Sequence, residues 1–384
     1  MSAGSAKSAW RLLTRTFLIT PLLLNSGPLS ASSQQPVAAA TPASGIRITV
    51  DTTNAEATLK LLGTDNPSPE EINRFSALPS TKALLRKARD SNMDLTGDDL
   101  WKMMQRAKAG EKKDVFNYHR VVQQEAQVRA LVSRLATEQK PIGDYLSQEL
   151  GPYLPPGKTM PLNVVVLLGG HSAGFTLGDA TTMYTGAHLY EGDFLGFRNM
   201  LVHEAFHNVQ AAWAPRKDLT KCLSQPELNA NRILGLVFTE GSAEYVADIW
   251  KTGPESPYNL TLQKNLAVNK NDWRYAHVQK LIDFVVVNAV DRTATQPDPD
   301  FLETILTDWN WNNPGYYYGY KATGALVEKH GKAKLKEYLS RGASAFFKDH
   351  LDLQKTGSGT AFSPRFAQIV NDLERKIAAC PVIP

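Results

Sequence analysis

The sequence predicts an α+β protein that is mainly helical, with a small sheet set beside long helices. Three observations carry that expectation. Between Asn54 and Leu150 apolar residues recur mostly at three- and four-residue spacing. One continuous apolar run, "LNVVVLLGG", has the β-branched content of a buried strand. After it come two helical patterns, "FLGFRNMLVHEAFHNVQAAWA" and "NRILGLVFTEGSAEYVADIW". With 42% hydrophobic and 21% charged residues in 384, the chain can build a sizeable core. The formal net charge is only +4 and the basic residues are dispersed, which argues against a nucleic-acid partner.

In chain order, residues 1–33 read as an export signal. Lys7, Arg11 and Arg15 form a positive start, "TFLITPLLL" a short apolar core, and "GPLSASS" small residues for cleavage near Ala31 to Ser33. The apolar core is too short for a bilayer and Pro21 interrupts it. No cysteine near the cleavage region offers a lipid attachment point, and Arg11 and Arg15 are not adjacent, as a twin-arginine signal requires. No later stretch approaches a membrane span. The expected mature chain is therefore secreted or periplasmic, without a stable membrane span. Residues 34–44, inside "SSQQPVAAATPAS", read as a disordered linker.

Residues 45–157 read as a helical N-terminal region that opens on "GIRITVDTT", a short alternating strand. "NAEATLKLLG" ends on a capping Gly63, "SPEEINRF" begins with a Ser-Pro start, and "NYHRVVQQEAQVRALVSRLATEQ" keeps a helical period throughout. The prolines of "PYLPPGK" break either regular structure and mark the boundary to residues 158–384. There "LNVVVLLGG" is followed by a second strand-like segment, "DATTMYTGAHLY". Asp193 then caps a helix that Pro215 ends. Cys222 and Cys380 lack metal-ligand spacing; they form one disulfide in an oxidising compartment or stand as two buried thiols.

The chemistry concentrates in "LVHEAFHNVQ". His203 and His207 lie four apart, so on a helix their imidazoles share one face at the separation that suits one tetrahedral ion. Glu204 sits one position after the first histidine, which sets its carboxylate beside such an ion, placed to accept a proton from water. Leu201, Val202, Ala205, Phe206, Val209 and Ala211 bury the helix, and two histidines with a glutamate are unfavourable there without a metal. A catalytic zinc takes three protein ligands. Glu240, Glu244 and Asp248 recur at four-residue spacing on the next helical pattern, hence on one face. One carboxylate ligates, and its neighbours accept the second N–H of each histidine.

"HEAFH" followed by "TEGSAEY" resembles the gluzincin superfamily of zinc metallopeptidases, the group of thermolysin and the aminopeptidase N type. Its signature is H-E-x-x-H on one helix and E-G-x-A-x-Y-like residues on the next. The resemblance implies one Zn2+ held by His203, His207 and Glu240, with Glu244 as the alternative third ligand, and Glu204 as general base. Glu244 takes the place that thermolysin-type enzymes usually fill with Asp. "NPGYYYGYKATGALVEKHG" resembles the Y-x-x-G segment that opens a late helix in aminopeptidase N-type enzymes. It implies Tyr316, three before Gly319, as the donor to the oxyanion, with Tyr317 and Tyr320 as alternatives. "TTMYTGAHL" takes the place of the edge strand along which gluzincins lay an extended substrate. His188 within it, His171 and His277 read as structural histidines. The resemblance spans about Leu162 to Gly331. It lacks the residues that bind a free amino group in aminopeptidases, and the layout is most similar to uncharacterised secreted zinc-dependent peptidases. It implies a thermolysin-like metallopeptidase core, a small mixed sheet plus active-site helices, in residues 158–384.

The expected function is thus an exported zinc metallopeptidase acting on a peptide or protein. A zinc hydrolase of a non-peptide amide or ester would use the same residues. A non-catalytic binding protein that retains a metal is the other alternative; Glu204, which is no ligand, speaks against it, because a structural site is more often closed by four ligands.

Overall fold

A computed structural model describes residues 45–90, 92–177, 181–214, 217–251, 254–291, 304–308, 311–355 and 360–382. The expected signal and linker, Asp179 and Pro215 lie outside the described residues. No helix among the described residues is long and apolar enough to cross a membrane.

The fold is α+β and mainly helical, with one small mixed sheet. Its strands are β1 (Ile46–Asp51), β2 (Met160–Leu167), β3 (Gly174–Phe175) and β4 (Thr182–Gly186), in the order β1-β2-β4-β3. β1 pairs parallel with β2 from Ile46↔Met160 to Asp51↔Val165, and β2 pairs parallel with β4 from Asn163↔Thr182 to Leu167↔Gly186. β3 runs antiparallel to β4, with Gly174 opposite Thr185. β2 has neighbours on both sides, and Val164, Val165, Val166 and Leu167 are all buried, which is why its apolar run is continuous rather than alternating. Two parallel strands need a long crossover. Between β1 and β2 it consists of α1 (Thr53–Gly63), α2 (Pro69–Ala77), α3 (Pro79–Asp90), α4 (Gly97–Lys108), α5 (Tyr118–Gln123), α6 (Glu125–Thr137) and α7 (Gln139–Leu150). The stretches on either side of Pro152–Lys158 therefore share one sheet.

Several local expectations change. Gly63 is the last residue of α1 and Thr64 is the cap. The period over residues 117–139 breaks at Gln124, whose φ of −123° and ψ of 28° are not helical. The break lets α5 lie on α4 while α6 packs against α1. Ser68 does cap α2 in a reciprocal capping box with Glu71. The segment expected at the sheet edge, now β4, is interior; the edge on that side is β3, too short at two residues to leave a period in the sequence.

Beyond the sheet lie α8 (Phe194–Trp213), α9 (Gln225–Ala247), α10 (Pro257–Ala267), α11 (Asp272–Asp291), α12 (Pro314–His330), α13 (Lys332–Arg341), α14 (Ala343–Gln354) and α15 (Pro364–Ala379). α9 is the central member, packed against α8, α11, α12 and α14. Enclosure on several sides explains why α8 and α9 are apolar around much of their circumference. Cys222 and Cys380 form a disulfide, which ties the segment before α9 to the end of α15.

Candidate metal centre

α8 begins where the sequence predicts it. Asp193 is extended, and its Oδ1 accepts from the Gly196 N–H at 2.8 Å. Its Oδ2 accepts from Ser256 Oγ at 2.7 Å and from the Tyr258 N–H at 2.9 Å, so one carboxylate anchors the starts of both α8 and α10. α9 opens at Ser224, whose N–H donates to Glu227 at 2.9 Å. These two well-started helices pack against each other and bring His203, His207 and Glu240 face to face.

Glu240 Oε2 lies 3.4 Å from His203 Nε2 and 3.5 Å from His207 Nε2, and the two Nε2 atoms are 3.3 Å apart. Zinc bonds of about 2.0–2.1 Å at tetrahedral angles set ligand atoms about 3.3–3.4 Å apart. The three protein atoms thus already outline one face of a zinc tetrahedron, and two imidazoles with a carboxylate are a donor set that zinc accepts. Burial alone would raise the Glu240 pKa, but the two histidines hold it far below the usual carboxylate range. Burial likewise opposes charge on His207, yet Glu240 overrides it and pushes that ring up to about 9; His203 also rises. Binding a dication requires neutral rings, so uptake releases protons and weakens as the pH falls.

The partners of the outer ring nitrogens were only half legible. Glu244 Oε1 lies 3.8 Å from His203 Nδ1, near the ring but beyond hydrogen-bond distance. Asp248 is not on that face. The helix ends at Ala247, Asp248 takes a left-handed backbone (φ 34°), and its carboxylate receives Tyr320 Oη at 3.4 Å instead. His207 is oriented by Gln210, one turn further along α8. Gln210 Oε1 accepts from His207 Nδ1 at 2.7 Å, while Gln210 Nε2 donates to the Thr239 carbonyl at 2.8 Å and to Ser242 Oγ at 2.9 Å. Because both amide protons are engaged by α9, the amide oxygen must face the ring. Nδ1 then carries the proton and Nε2 keeps its lone pair for a metal. The signal was present in the sequence as the i+3 spacing of His207 and Gln210.

Glu204 is 9% exposed, and burial raises its pKa. The backbone of β3 covers it: a Cβ on Gly174 would fall 2.5 Å from the Glu204 carboxyl carbon. A side chain here would push the Glu204 carboxylate out of its place. Tyr316 is the tyrosine that reaches the cluster. Its ring lies parallel to that of His203 with centroids 6.3 Å apart, and burial, followed by the nearby charge of Glu240, drives the phenol pKa far up. Tyr317 and Tyr320 turn instead toward Trp250.

What sets Tyr316 in place is the contact of its helix with α9. A Cβ on Gly319 would sit 2.0 Å from the Val237 carbonyl oxygen, and one on Gly241 would sit 2.2 Å from Gly319 Cα. The glycines of "TEG" and "Y-x-x-G" are therefore two halves of one backbone-to-backbone crossing. Among the other histidines, His188 is fully buried. Its Nδ1 accepts from the Gly169 N–H at 3.3 Å and its Nε2 donates to the Gly170 carbonyl at 3.0 Å, with burial lowering its pKa to about 4. It is a neutral brace for the turn after β2. His171 and His277 are exposed and stand apart from the cluster.

A family model described as "Putative zinc dependent peptidase (DUF5700)" matches residues 72–351, more than half of the chain, and the chain belongs to that family. The match includes α8, α9 and α12, and with them every residue of the cluster. No curated protein and no solved structure matches the chain significantly.

Proposed function

From membership of a zinc-dependent peptidase family and the geometry of the cluster, we propose that this chain is an exported metallopeptidase with a gluzincin-type site. His203, His207 and Glu240 hold one zinc ion, and Glu204 is the general base. The observation that carries the reading is the set of three ligand-atom separations, 3.3, 3.4 and 3.5 Å, on two separate helices. Zinc held there supplies a Lewis acid and lowers the pKa of water towards about 7.

The chain's own residues do the rest. Glu204, buried and with its pKa raised by that burial, takes the proton of the attacking water and hands it to the leaving amine. The Tyr316 hydroxyl, kept protonated, donates to the oxyanion that develops on the peptide carbonyl. Gln210 holds the His207 ring, and the Glu244 carboxylate lies beside that of His203. β3 is the outer strand of the sheet beside Glu204, and its unpaired side is where an extended peptide can add as a further strand. Residues 158–384 form the thermolysin-like catalytic region in this reading, and residues 45–157 its helical N-terminal region. The basic start and apolar core of residues 1–33 support export to a secreted or periplasmic location, and the Cys222–Cys380 disulfide fits an oxidising compartment.

The test is digestion of a diverse peptide mixture by the purified mature chain, read by mass spectrometry. Cleavage by wild type that disappears in Glu204→Gln and in chelator-treated samples is expected. A zinc-loaded wild type that cuts no peptide would overturn the peptidase assignment, and full activity in Glu204→Gln would overturn the role of Glu204.

A further inference from the structure

A glycine inside a helix needs a reason, because alanine is favoured there. α9 carries two. Gly241 has its reason in the crossing with Gly319. Gly235 has none of that kind: it lies well inside the helix, and a Cβ built on it meets no atom within 4 Å. Neither close packing nor an unusual backbone calls for glycine at this position.

What Gly235 does is line a cleft of about 580 Å³, within the range of about 300–1,000 Å³ typical of ligand pockets. His207, Gln210 and Glu240 form one end of it, so the cleft starts at the cluster. From there it runs between α8 and α9 over small residues, Ala211 and Ala214 on one side and Gly235 on the other. Phe238, Leu339 and Ile377 add apolar walls. Lys217 and Arg341 also line it, and both are engaged. Lys217 Nζ donates to the Ile377 and Ala378 carbonyls at 2.6 and 3.2 Å, and Arg341 pairs with Glu337 and Glu374. The Arg341 charge is matched by two carboxylates; Lys217 is held by carbonyls at the C-terminal end of α15 and is the one lining cation without a carboxylate partner among the described residues.

We infer that this cleft receives a bulky apolar side chain of the peptide substrate, next to the bond that is cut, and that Gly235 keeps the room for it. The inference rests on the peptidase reading. Its chemistry follows from the lining: a floor of small residues leaves space, apolar walls favour removal of an aromatic or long aliphatic group from water, and continuity with His207 and Glu240 puts that group beside the scissile carbonyl.

Two arms test it. In the first, wild type and Gly235→Leu cleave paired peptides that differ only in Phe or Ala beside the cut, at each flanking position in turn. The Phe-to-Ala ratio of kcat/KM at one position should fall at least tenfold in Gly235→Leu, with Gly235→Ala between the two. A leucine here points into open space on a helix, and thermal melting checks that the fold is retained. In the second arm, binding is read without cleavage. N-acetylphenylalaninamide should raise the melting temperature of Glu204→Gln more than N-acetylalaninamide does, and the Glu204→Gln/Gly235→Leu double variant should lose that difference. An unchanged Phe-to-Ala ratio in an active Gly235→Leu overturns the pocket and leaves the peptidase reading standing. A wild type that cleaves nothing, while the amide still discriminates in the second arm, overturns the peptidase reading and leaves the pocket's chemistry standing.

Discussion

Gly235 and Gly241 sit six residues apart on the same helix, in opposite surroundings. At Gly241 another backbone fills the place where a side chain would begin; at Gly235 nothing lies within 4 Å. One glycine answers a demand for contact, the other leaves room. The contact brings α12 against α9, and with it the Tyr316 phenol to Glu240. The room opens from His207 and Glu240 along the groove between α8 and α9. One residue type thus serves both the precision of the site and its access, and only three-dimensional neighbours tell the two apart.

The sharpest way to break the comparison is to fill the crowded end. Gly241→Val drives a branched side chain into the Gly319 backbone. It should cost about 3 kcal/mol of stability in denaturant unfolding, and the displaced α12 should carry Tyr316 away, abolishing turnover. Tyr316→Phe removes only what the crossing delivers; kcat should fall about 10²–10³-fold with zinc content unchanged. At the metal end of the groove, Gln210→Leu unlocks the His207 tautomer and should weaken zinc binding about 10–100-fold in a competition titration. Gly235→Ala is the smallest change and has the opposite sign: with no clash to meet, it should stabilise the chain by about 0.5–1 kcal/mol. If Gly235→Ala destabilised as Gly241→Val does, the contrast drawn between the two ends of α9 would be wrong.

The sequence made the long periodic elements and the paired histidines of the candidate metal site readable for physical reasons. A buried central strand shows as a continuous apolar run, and a helix fixes the relative direction of residues four apart, so β2 and the pair His203 and His207 could be read locally. The helical pattern put Glu240, Glu244 and Asp248 on one face without choosing among them; the choice of Glu240 came from the resemblance of "TEGSAEY" to the gluzincin signature. Reading failed where the cause was not local. β3 is two residues long and exists because β4 pairs with it, so it leaves no period of its own. The face that joins Glu240 and Glu244 does not reach Asp248, because the helix stops one residue short. Gln210 lies on the histidine face, but its role depends on the Thr239 carbonyl and Ser242, which only the packing of α9 supplies. The cysteine pairing, and which of Tyr316, Tyr317 and Tyr320 lies beside the cluster, were likewise open until distant segments were brought together.

The account stands on a zinc ion at His203, His207 and Glu240, with Glu204 beside it but not bound to it. Bound zinc per chain, titrated for wild type, Glu204→Gln and His207→Ala under the same conditions, tests this most directly. The expected result is one zinc in wild type and in Glu204→Gln, and binding weakened by orders of magnitude in His207→Ala. Equal binding by His207→Ala and wild type, or a wild type that takes up no zinc, would contradict it.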